Sequence, residues 1–351
     1  MKDELYFNDH EWHIGDKHIH MRVVCGARTR GKTSRYVFEM VKWWDKDKLH
    51  NKFVYLRRKK VQLEEVISKG VFNGARGMDD LEAIKMFARY PYDNTRDGRI
   101  FLGMGKEDNE NCGYIFDLNN IKGVSVEDAN VLYFDEYIEL NRADYKGGDG
   151  GMHEPELFAR LLETIFRRRE FWVILNANAD TYTNPYHEYF HIPFLSEKWT
   201  DNERGIMFTR DIAPPVAREH RAQTTIGRLF KGTNYDIYAN GDRPASGISE
   251  DFFAERPPHA KLVCNVRIFN KILTFWLDEE HEVEYISDKY KENKQYQTIS
   301  VTKDDMTVDS TFVAYCTNFL LWQKTMFALG KTRFSNGKVA ELFYVIINID
   351  K

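Results

Sequence analysis

The apolar positions in the first part of the chain form short continuous runs, separated by longer segments of mixed character. Met21 to Cys25 is apolar except for Arg22. Lys52 to Leu56 and Val131 to Phe134 are runs of the same kind, which predicts buried strands. In Tyr36 to Trp44 the apolar residues recur at helical spacing, which predicts a helix. Strands alternating with helices are typical of an α/β fold with a largely parallel sheet.

The pattern changes twice towards the C-terminus. Residues 198–248 are polar and contain Pro214-Pro215, which predicts a small linker. Beyond it, three apolar runs (Leu262 to Ile268, Lys271 to Leu277 and Val283 to Ser287) predict a β meander, followed by an apolar helix at about Thr311 to Leu329. We therefore predict a first domain over residues 1–197, a linker over 198–248 and a C-terminal α+β domain over 249–351.

The first predicted strand leads into a phosphate-binding motif. Gly26 to Thr33 matches G-x-x-x-x-G-K-[ST] at every fixed position, between a strand and a helix as the motif requires. In such a loop the backbone N–H groups and a lysine bind phosphate oxygens, and the hydroxyl that follows can bind Mg²⁺. The predicted nucleotide contacts are Gly26, Arg28, Thr29, Arg30, Gly31, Lys32, Thr33 and Ser34.

The strand at Val131 ends in two carboxylates, Asp135 and Glu136, which is the Walker B pattern. Asp135 and Thr33 are predicted to hold Mg²⁺, and Glu136 to act as the general base that activates water. The adjacent pair predicts hydrolysis. ATP is the predicted nucleotide, because a GTPase switch would need D-x-x-G, whereas the third residue after Asp135 is Ile138. The carboxylate pair argues against a binding module in which ATP only locks a conformation.

Two further groups of polar residues stand at the ends of predicted elements. Residues 154–168 form an amphipathic pattern that ends in Arg167-Arg168-Arg169, which is either a helix cap or an arginine finger that reaches a neighbouring subunit's γ-phosphate. A strand at 171–175 then leads to Asn176 and Asn178, either of which suits a γ-phosphate sensor. The cations of Arg57-Arg58-Lys59-Lys60 follow another strand, where ligands of α/β sheets bind.

The composition excludes some classes of function but does not identify the function. The 351 residues suit two domains, and a formal net charge of −4 argues against a protein that coats nucleic acid over its whole surface. The four cysteines, Cys25, Cys112, Cys264 and Cys316, lack C-x-x-C spacing and predict neither a zinc site nor a disulfide framework. Nothing in Met1 to Glu4 resembles a secretion signal, so we expect the protein in cytoplasm.

Several blocks together resemble one family, the DNA-packaging motor ATPases of φ29-type tailed phages, which are P-loop ring ATPases of the ASCE class. The blocks are Gly26 to Lys32, Tyr55 to Arg58 with Lys60, Phe134 to Glu136, Thr164 to Glu170, Asn184 to Tyr186, and Ile226 to Leu229 with Gly232-Thr233. They occur in the family's order and spacing over nearly the whole chain.

The resemblance implies a homomeric ring, pentameric in the family, that docks on the portal of an empty procapsid and drives double-stranded DNA inward with ATP. It implies a doubly wound ATPase domain and a C-terminal RNase H-like domain that has lost nuclease catalysis. It also implies work in the host cytoplasm, absence from the mature virion and, as in some relatives, a bound structural packaging RNA. The alternatives are a terminase-like motor with an active nuclease and an ATP-dependent DNA helicase.

The family's functional residues fall on four positions of this sequence. Arg167 matches the trans-acting arginine finger, although Arg168 and Arg169 leave that choice open. Lys60 matches a trans-acting lysine of the subunit interface, and Asn178 matches the sensor position. Lys122 falls at a lysine of the loop that lines the pore and grips DNA.

Overall fold

A computed structural model describes residues 5–118, 126, 128–139, 145, 154–178, 184–192, 197–241, 252–289 and 295–347. The chain divides into two compact units, Met1–Ala245 and Ser246–Lys351. No helix in these described ranges is long and apolar enough to cross a membrane.

Nine strands of the first unit form one sheet. They are β1 (Met21–Gly26), β2 (Lys52–Arg57), β3 (Tyr92–Arg96), β4 (Arg99–Gly103), β5 (Asn109–Asp117), β6 (Ala129–Asp135), β7 (Trp172–Asn178), β8 (Lys198–Asp201) and β9 (Ile206–Asp211). Their order in the sheet is β3-β4-β5-β2-β6-β7-β1-β9-β8. The six neighbouring strands β5, β2, β6, β7, β1 and β9 pair in parallel. Strands β3, β4 and β8 extend the two edges of the sheet by antiparallel pairing.

This strand order confirms the predicted fold class. The phosphate-loop strand β1 is separated from the Walker B strand β6 by β7, which is the arrangement of the predicted ASCE class. The described helices are α1 (Lys32–Lys46), α2 (Lys60–Lys69), α3 (Asn73–Arg76), α4 (Leu81–Arg89), α5 (Glu154–Phe166), α6 (Pro185–Tyr189), α7 (Pro215–Gln223), α8 (Thr225–Leu229) and α9 (Asn234–Ala239).

The two faces of the large sheet bury separate apolar cores. On one face α1 contributes Val37, Val41 and Trp44, which pack with Phe53 of β2. On the other face α5 contributes Phe158, Leu161 and Ile165, which pack with Val54 and Leu56 of β2 and Phe134 of β6. Since successive strand residues point to opposite faces, the strands buried on both sides read as continuous apolar runs. That is why the sequence predicted them.

The segment predicted as a linker instead joins the first unit. Strands β8 and β9 lie within residues 198–248, and β9 pairs in parallel with β1. Farther along the same segment, the backbone N–H of Arg28 donates to the carbonyl of Ala239 at 3.0 Å, so the C-terminal end of α9 packs on the phosphate loop. The sequence suggests a linker because α7 has no buried residue and β8 is an edge strand with an alternating exposed face.

The second unit is a smaller α/β sandwich. Its elements are β10 (Lys261–Ile268), β11 (Lys271–Asp278), β12 (Val283–Ser287), β13 (Thr298–Ser300), β14 (Ser310–Phe312), α10 (Thr317–Ala328), β15 (Thr332–Phe334) and α11 (Gly337–Ile347). The sheet order is β14-β13-β10-β11-β12-β15. The first three strands form the predicted antiparallel meander, and β13 and β14 then add in parallel beside β10. Apart from the added β15, this is the strand order of the RNase H-like fold.

Candidate active site

The phosphate loop leaves β1 in a geometry that requires glycine at two positions. A Cβ on Gly26 would lie 2.1 Å from the backbone oxygen of Asp211, so only glycine allows β1 to end this close to β9. Gly31 has φ 76 and precedes α1, whose N-terminus receives no side-chain cap. Because the first N–H groups of a helix have no intrahelical acceptor, this uncapped end suits an anion.

Lys32 lies buried at the start of α1. Its Nζ donates to the carbonyl of Ala27 at 2.5 Å and lies 3.8 Å from the Asp211 carboxylate. Burial lowers the pKa of Lys32, and the negative charge of Asp211 opposes that shift. Arg30 also approaches Asp211, at 3.3 Å. Asp211 therefore anchors two of the three cations of the loop, a role that the sequence did not reveal.

Asp135 is the centre of a hydrogen-bond network at the carboxyl ends of four neighbouring strands. Five side chains donate to its carboxylate at 2.7–3.1 Å: Thr33, Tyr55, Arg57, Tyr133 and Asn176. The carboxylate is 1% exposed, so these donors replace the water it has lost. The arrangement follows from strand register, because Asp135 of β6 lies directly beside Asn176 of β7.

The two candidate sensor amides occupy different environments. Asn176 is buried, and its Nδ2 lies 2.8 Å from Asp135 Oδ1 and 3.2 Å from the Thr33 hydroxyl. Its Oδ1 is buried and has no hydrogen-bond partner among the described residues. Asn178 is partly exposed and lies beside Gly26 at the ends of β7 and β1. Of the two amides, Asn176 is thus the one that contacts the predicted metal ligands.

Glu136 turns out of the sheet immediately after Asp135. Its backbone φ is 60, an uncommon value for a residue other than glycine. Its backbone N–H donates to the carbonyl of Asn176 at 2.7 Å. The side chain is 48% exposed and lies 2.5 Å from Arg57 Nη1. Partial burial raises the pKa of the Glu136 carboxyl, whereas the charge of Arg57 lowers it. A carboxylate in this position can reach water and accept its proton.

Arg57 bridges the two Walker B carboxylates rather than standing free for phosphate. It contacts Asp135 at 2.7 Å and Glu136 at 2.5 Å. Although burial opposes the charge, these carboxylates raise the pKa of Arg57 and keep it protonated. The neighbouring Arg58 is fully buried, with its Nε 2.9 Å from the carboxylate of Glu154 on α5.

Arg58 also fixes the loop that carries Glu136. Its guanidinium donates to the carbonyls of Glu136 at 3.0 Å and Tyr137 at 2.6 Å. The ring of Tyr145 lies 4.7 Å from the guanidinium carbon. Arg58 therefore holds the backbone that carries the candidate base and is not placed to contact a ligand.

Of the remaining cations predicted as functional, Arg167, Arg168 and Lys60 are exposed. Arg167 follows α5 with φ 53, and Arg167 and Arg168 make no side-chain hydrogen bond or ion pair to any described residue. Arg169, in contrast, donates to the carbonyls of Phe166, Ala129, Val126 and Ile165 at 2.5–3.3 Å. Arg169 thus fits the helix-cap interpretation. The predicted arginine finger is then one of the two exposed residues, Arg167 or Arg168. Lys60 begins α2, with an exposed side chain 3.6 Å from Glu64.

A cavity of about 250 Å³ opens beside the phosphate loop within the first unit. It is lined by Tyr6 of the N-terminal segment, Arg28 and Arg30 of the loop, and His220 and Asn240 of the following segment. Arg28 Nε donates to the Tyr238 hydroxyl at 2.5 Å. The N-terminal segment thus contributes to the wall of this cavity.

Comparison with protein families gives one match, to the Podovirus DNA encapsidation protein (Gp16) model, over residues 1–350. The chain belongs to this family. No curated protein matches it. The Gp16 assignment confirms the predicted resemblance and the function class, a phage DNA-packaging motor ATPase.

Solved structures with similar folds come from packaging motors. A chain of the bacteriophage Phi-29 viral genome packaging motor assembly has 20% identity and a TM-score of 0.53, covering 97% of this chain and 99% of that chain. The Phi-28 gp11 DNA packaging motor has 15% identity and a TM-score of 0.47, with 95% of each chain covered. The first of these supports the fold of this Gp16 family member.

One predicted feature of this Gp16 family member, the DNA-gripping Lys122, lies outside the described residues.

Proposed function

We propose that this protein hydrolyses ATP to drive double-stranded viral DNA into a preformed procapsid, acting as a homomeric, pentameric ring at the portal vertex. The observation that carries the proposal is the junction of two motifs distant in sequence. The Thr33 hydroxyl of the phosphate loop donates to Asp135 of the Walker B strand at 3.1 Å, with Glu136 next in the chain. The residues proposed to bind phosphate, to bind the metal and to act as the base thus lie at one edge of the sheet.

The residues present suit Mg²⁺ with ATP. Thr33 and Asp135 offer the oxygen ligands that Mg²⁺ prefers, and Mg²⁺ usually keeps several waters. The orphaned Oδ1 of Asn176 would accept a hydrogen bond from such a water. Bound there, Mg²⁺ would offset negative charge on the phosphates.

The chain's own groups would then divide the work. Lys32, freed from the Ala27 carbonyl, would bind the β- and γ-phosphates, and the uncapped N-terminus of α1 would donate to their oxygens. Glu136 would take the proton of the attacking water. Since Glu136 is paired with Arg57 at 2.5 Å, this ion pair must loosen for the carboxylate to turn towards that water. We propose that the nucleoside lies in the cavity beside Arg28.

Exposed cations support a ring. Within the first unit, the two arginines at the end of β2, Arg57 and Arg58, are held by carboxylates. A guanidinium for the γ-phosphate can therefore come from a neighbouring subunit, and Arg167 has the exposure that such a role needs. Lys60, on the exposed surface of α2, would serve the same interface. Asn178, at the end of β7, stays a candidate for the sensor beside Asn176.

The proposed partners are double-stranded DNA, the portal of the procapsid and, as in some relatives, a structural packaging RNA. Packaging would take place in the host cytoplasm, and the motor would be absent from the mature virion. Lys122 is proposed to contact DNA. Lys122→Ala should reduce the slope of DNA affinity against salt, because each lost phosphate contact removes one counterion release. An unchanged slope in assembled rings would place Lys122 away from DNA.

The nuclease alternative receives no support from the second unit. Two-metal cleavage needs converging carboxylates, yet the adjacent parallel strands β10 and β13 carry no aspartate or glutamate. Asp305 accepts from the backbone N–H groups of Phe269 and Asn270 at 2.7 Å, and Asp288 contacts Asn336. Each of these two carboxylates thus stabilises a different turn, and they do not converge on one site. We expect no metal-dependent DNA cleavage, and no strand separation in a helicase assay.

The experiment that tests the proposal is ATP turnover of the assembled motor, measured without DNA, with double-stranded DNA, and with DNA and matching portal particles. We expect turnover to rise with DNA and DNA to become protected from nuclease inside the particles. A rate of ATP turnover that is unchanged by DNA and by portal particles would contradict the proposal of a packaging motor.

A further inference from the structure

The second unit gathers two imidazoles and a carboxylate outside the site described above. His259 precedes β10, and Glu280 and His281 lie in the turn between β11 and β12. One donor atom from each of these side chains lies within 4.8 Å of the other two. In the part of the chain that the structure describes, this is the one group of three such residues at that spacing. All three side chains are exposed, so an ion can reach them.

A buried carboxylate holds both imidazoles. Asp278 ends β11 and is 2% exposed. Its Oδ2 lies 3.1 Å from His259 Nε2 and 2.9 Å from His281 Nδ1, and its Oδ1 accepts from the N–H groups of Glu280 and His281 at 3.1 and 3.3 Å. A carboxylate that takes the N–H of an imidazole fixes the ring and makes its other nitrogen a better metal ligand. Asp278 therefore orients this pair of histidines as outer carboxylates do in metal sites.

We propose that His259, His281 and Glu280 bind a divalent transition metal of the zinc class, with water completing the coordination. Imidazole and carboxylate together suit zinc, whereas Mg²⁺ selects oxygen ligands. The site is therefore chemically distinct from the Thr33–Asp135 pair of the first unit. It does not depend on the ATPase chemistry proposed above.

The distances require only a small adjustment. Ligand atoms placed at about 2.1 Å around a tetrahedral zinc lie about 3.4 Å apart. The three donors lie within 4.8 Å, so closing on a metal needs inward shifts of about 1 Å, which rotation of exposed side chains provides. The neighbouring Glu279 pairs with Lys261 instead, which leaves Glu280 as the carboxylate of the turn that faces the two rings.

The metal would join two segments that are far apart in sequence. His259 precedes the first strand of the second unit, and His281 lies in the turn that follows its second strand. A metal that binds only when both segments are folded stabilises that unit by mass action. Zinc should therefore raise the thermal midpoint of the second unit.

The test is calorimetric titration of zinc chloride into the full chain, freed of metal and without nucleotide. We expect one site whose affinity falls at least tenfold in His259→Ala and in His281→Gln, with no competition from millimolar magnesium chloride. Gln at position 281 can still donate to Asp278 but is a poor zinc ligand, so it separates metal binding from the turn's hydrogen bonds. Melting curves of the metal-free variants check that each is folded.

Two variants serve as matched controls. His50→Ala removes an exposed histidine that pairs with Asp47 at 2.9 Å but has no second imidazole in its pair, and Glu279→Gln removes the adjacent acid of the same turn. Both should bind zinc as the unmodified chain does. Zinc binding that is absent, or equally strong in His259→Ala and His281→Gln, would overturn the proposal.

Discussion

The two units place carboxylates at the centre of their sheets in opposite ways. In the first unit, Asp135 stands at the end of a central strand and receives Arg57 and four neutral donors. In the second, the parallel pair β10 and β13 carries no carboxylate. Asp278, at the end of β11, is bonded to two imidazoles, and the buried Glu284 of β12 is bonded to a neutral amide, Gln323, at 2.8 Å.

This difference shows what separates a reactive sheet edge from an inert one. Both sheets have a point where parallel strands meet and loops can gather side chains, the usual place for a ligand site in α/β folds. Among the residues that the structure describes, only the first sheet gathers a hydroxyl, two carboxylates and an amide there. In the second unit, Asp305 and Asp288 bond to neighbouring turns instead. The RNase H-like fold alone therefore does not predict nuclease chemistry.

The largest effect should come from Arg167→Ala in assembled rings. If Arg167 supplies the finger, ATP turnover should fall about 10³-fold or more, while nucleotide binding by isolated subunits is unchanged. Arg168→Ala is the matched control, because both side chains are exposed, and it should keep turnover within severalfold. A large loss from Arg168→Ala alone would move the finger to that residue.

Mixing subunits sharpens the same test. Rings that combine Arg167→Ala subunits with Glu136→Gln subunits should regain turnover at interfaces that join an intact base to an intact finger. No recovery at any ratio, in mixed rings shown to form, would contradict action in trans.

The buried pair behind the site predicts a large loss of stability. Arg58→Met leaves Glu154 buried without its guanidinium, which should lower the free energy of unfolding of the first unit by about 3–5 kcal/mol. Adding Glu154→Gln should restore part of the loss. Lys60→Met removes an exposed pair with Glu64 and should change stability by about 1 kcal/mol or less. Chemical denaturation followed by circular dichroism measures all three, and equal effects would refute the structural role of Arg58.

The two amides of β7 give a comparison within one strand. Asn176→Ala removes a donor to Asp135 and should lower turnover by about 10²-fold, the usual effect of losing one positioned donor. Asn178→Ala should have the smaller effect, since Asn178 lies two residues farther along β7, beside Gly26 at the end of the strand. Steady-state ATPase assays on assembled rings decide between them. The reverse order would make Asn178 the sensor, as the family resemblance implied.

The smallest effect concerns Glu284 and pH. Burial raises the pKa of Glu284 to about 7 from an ordinary 4.5, despite its bond to Gln323. As pH rises from 4.5 to about 7, the unfolded chain loses this proton first, so the folded second unit should lose about 2–3 kcal/mol of stability. Glu284→Gln should remove that dependence. Hydrogen exchange of β12 amides at pH 5 and pH 8, corrected for intrinsic rates, measures it, and an unchanged pH dependence in the variant would contradict the assignment.

The sequence revealed those parts of the site that are contiguous in the chain. Gly26 to Thr33 and the Asp135–Glu136 pair are motifs whose residues lie side by side, and the apolar runs that lead to them predict their strands. The contacts among them depend on register and strand order. Asn176 meets Asp135 because β6 and β7 pair at those residues, and no local pattern encodes that pairing.

Other contributions come from segments whose local pattern suggests a different role. Asp211 anchors Lys32 and Arg30 from a stretch whose polar composition predicted a linker. Arg57 and Arg58 follow a strand end, which favoured phosphate contact, but buried carboxylates from distant parts of the chain hold them. Charge alone does not distinguish a cation that awaits a ligand from one with an internal partner.

The most direct test of the central claim is ATP turnover by Glu136→Gln, measured beside nucleotide binding. The variant keeps the phosphate loop, Asp135 and the size of the side chain, but cannot accept the proton of water. We predict nucleotide affinity close to that of the unmodified protein and turnover lower by about 10²-fold or more. Turnover within severalfold of the unmodified protein, at equal nucleotide binding, would contradict the assignment of Glu136 as the base.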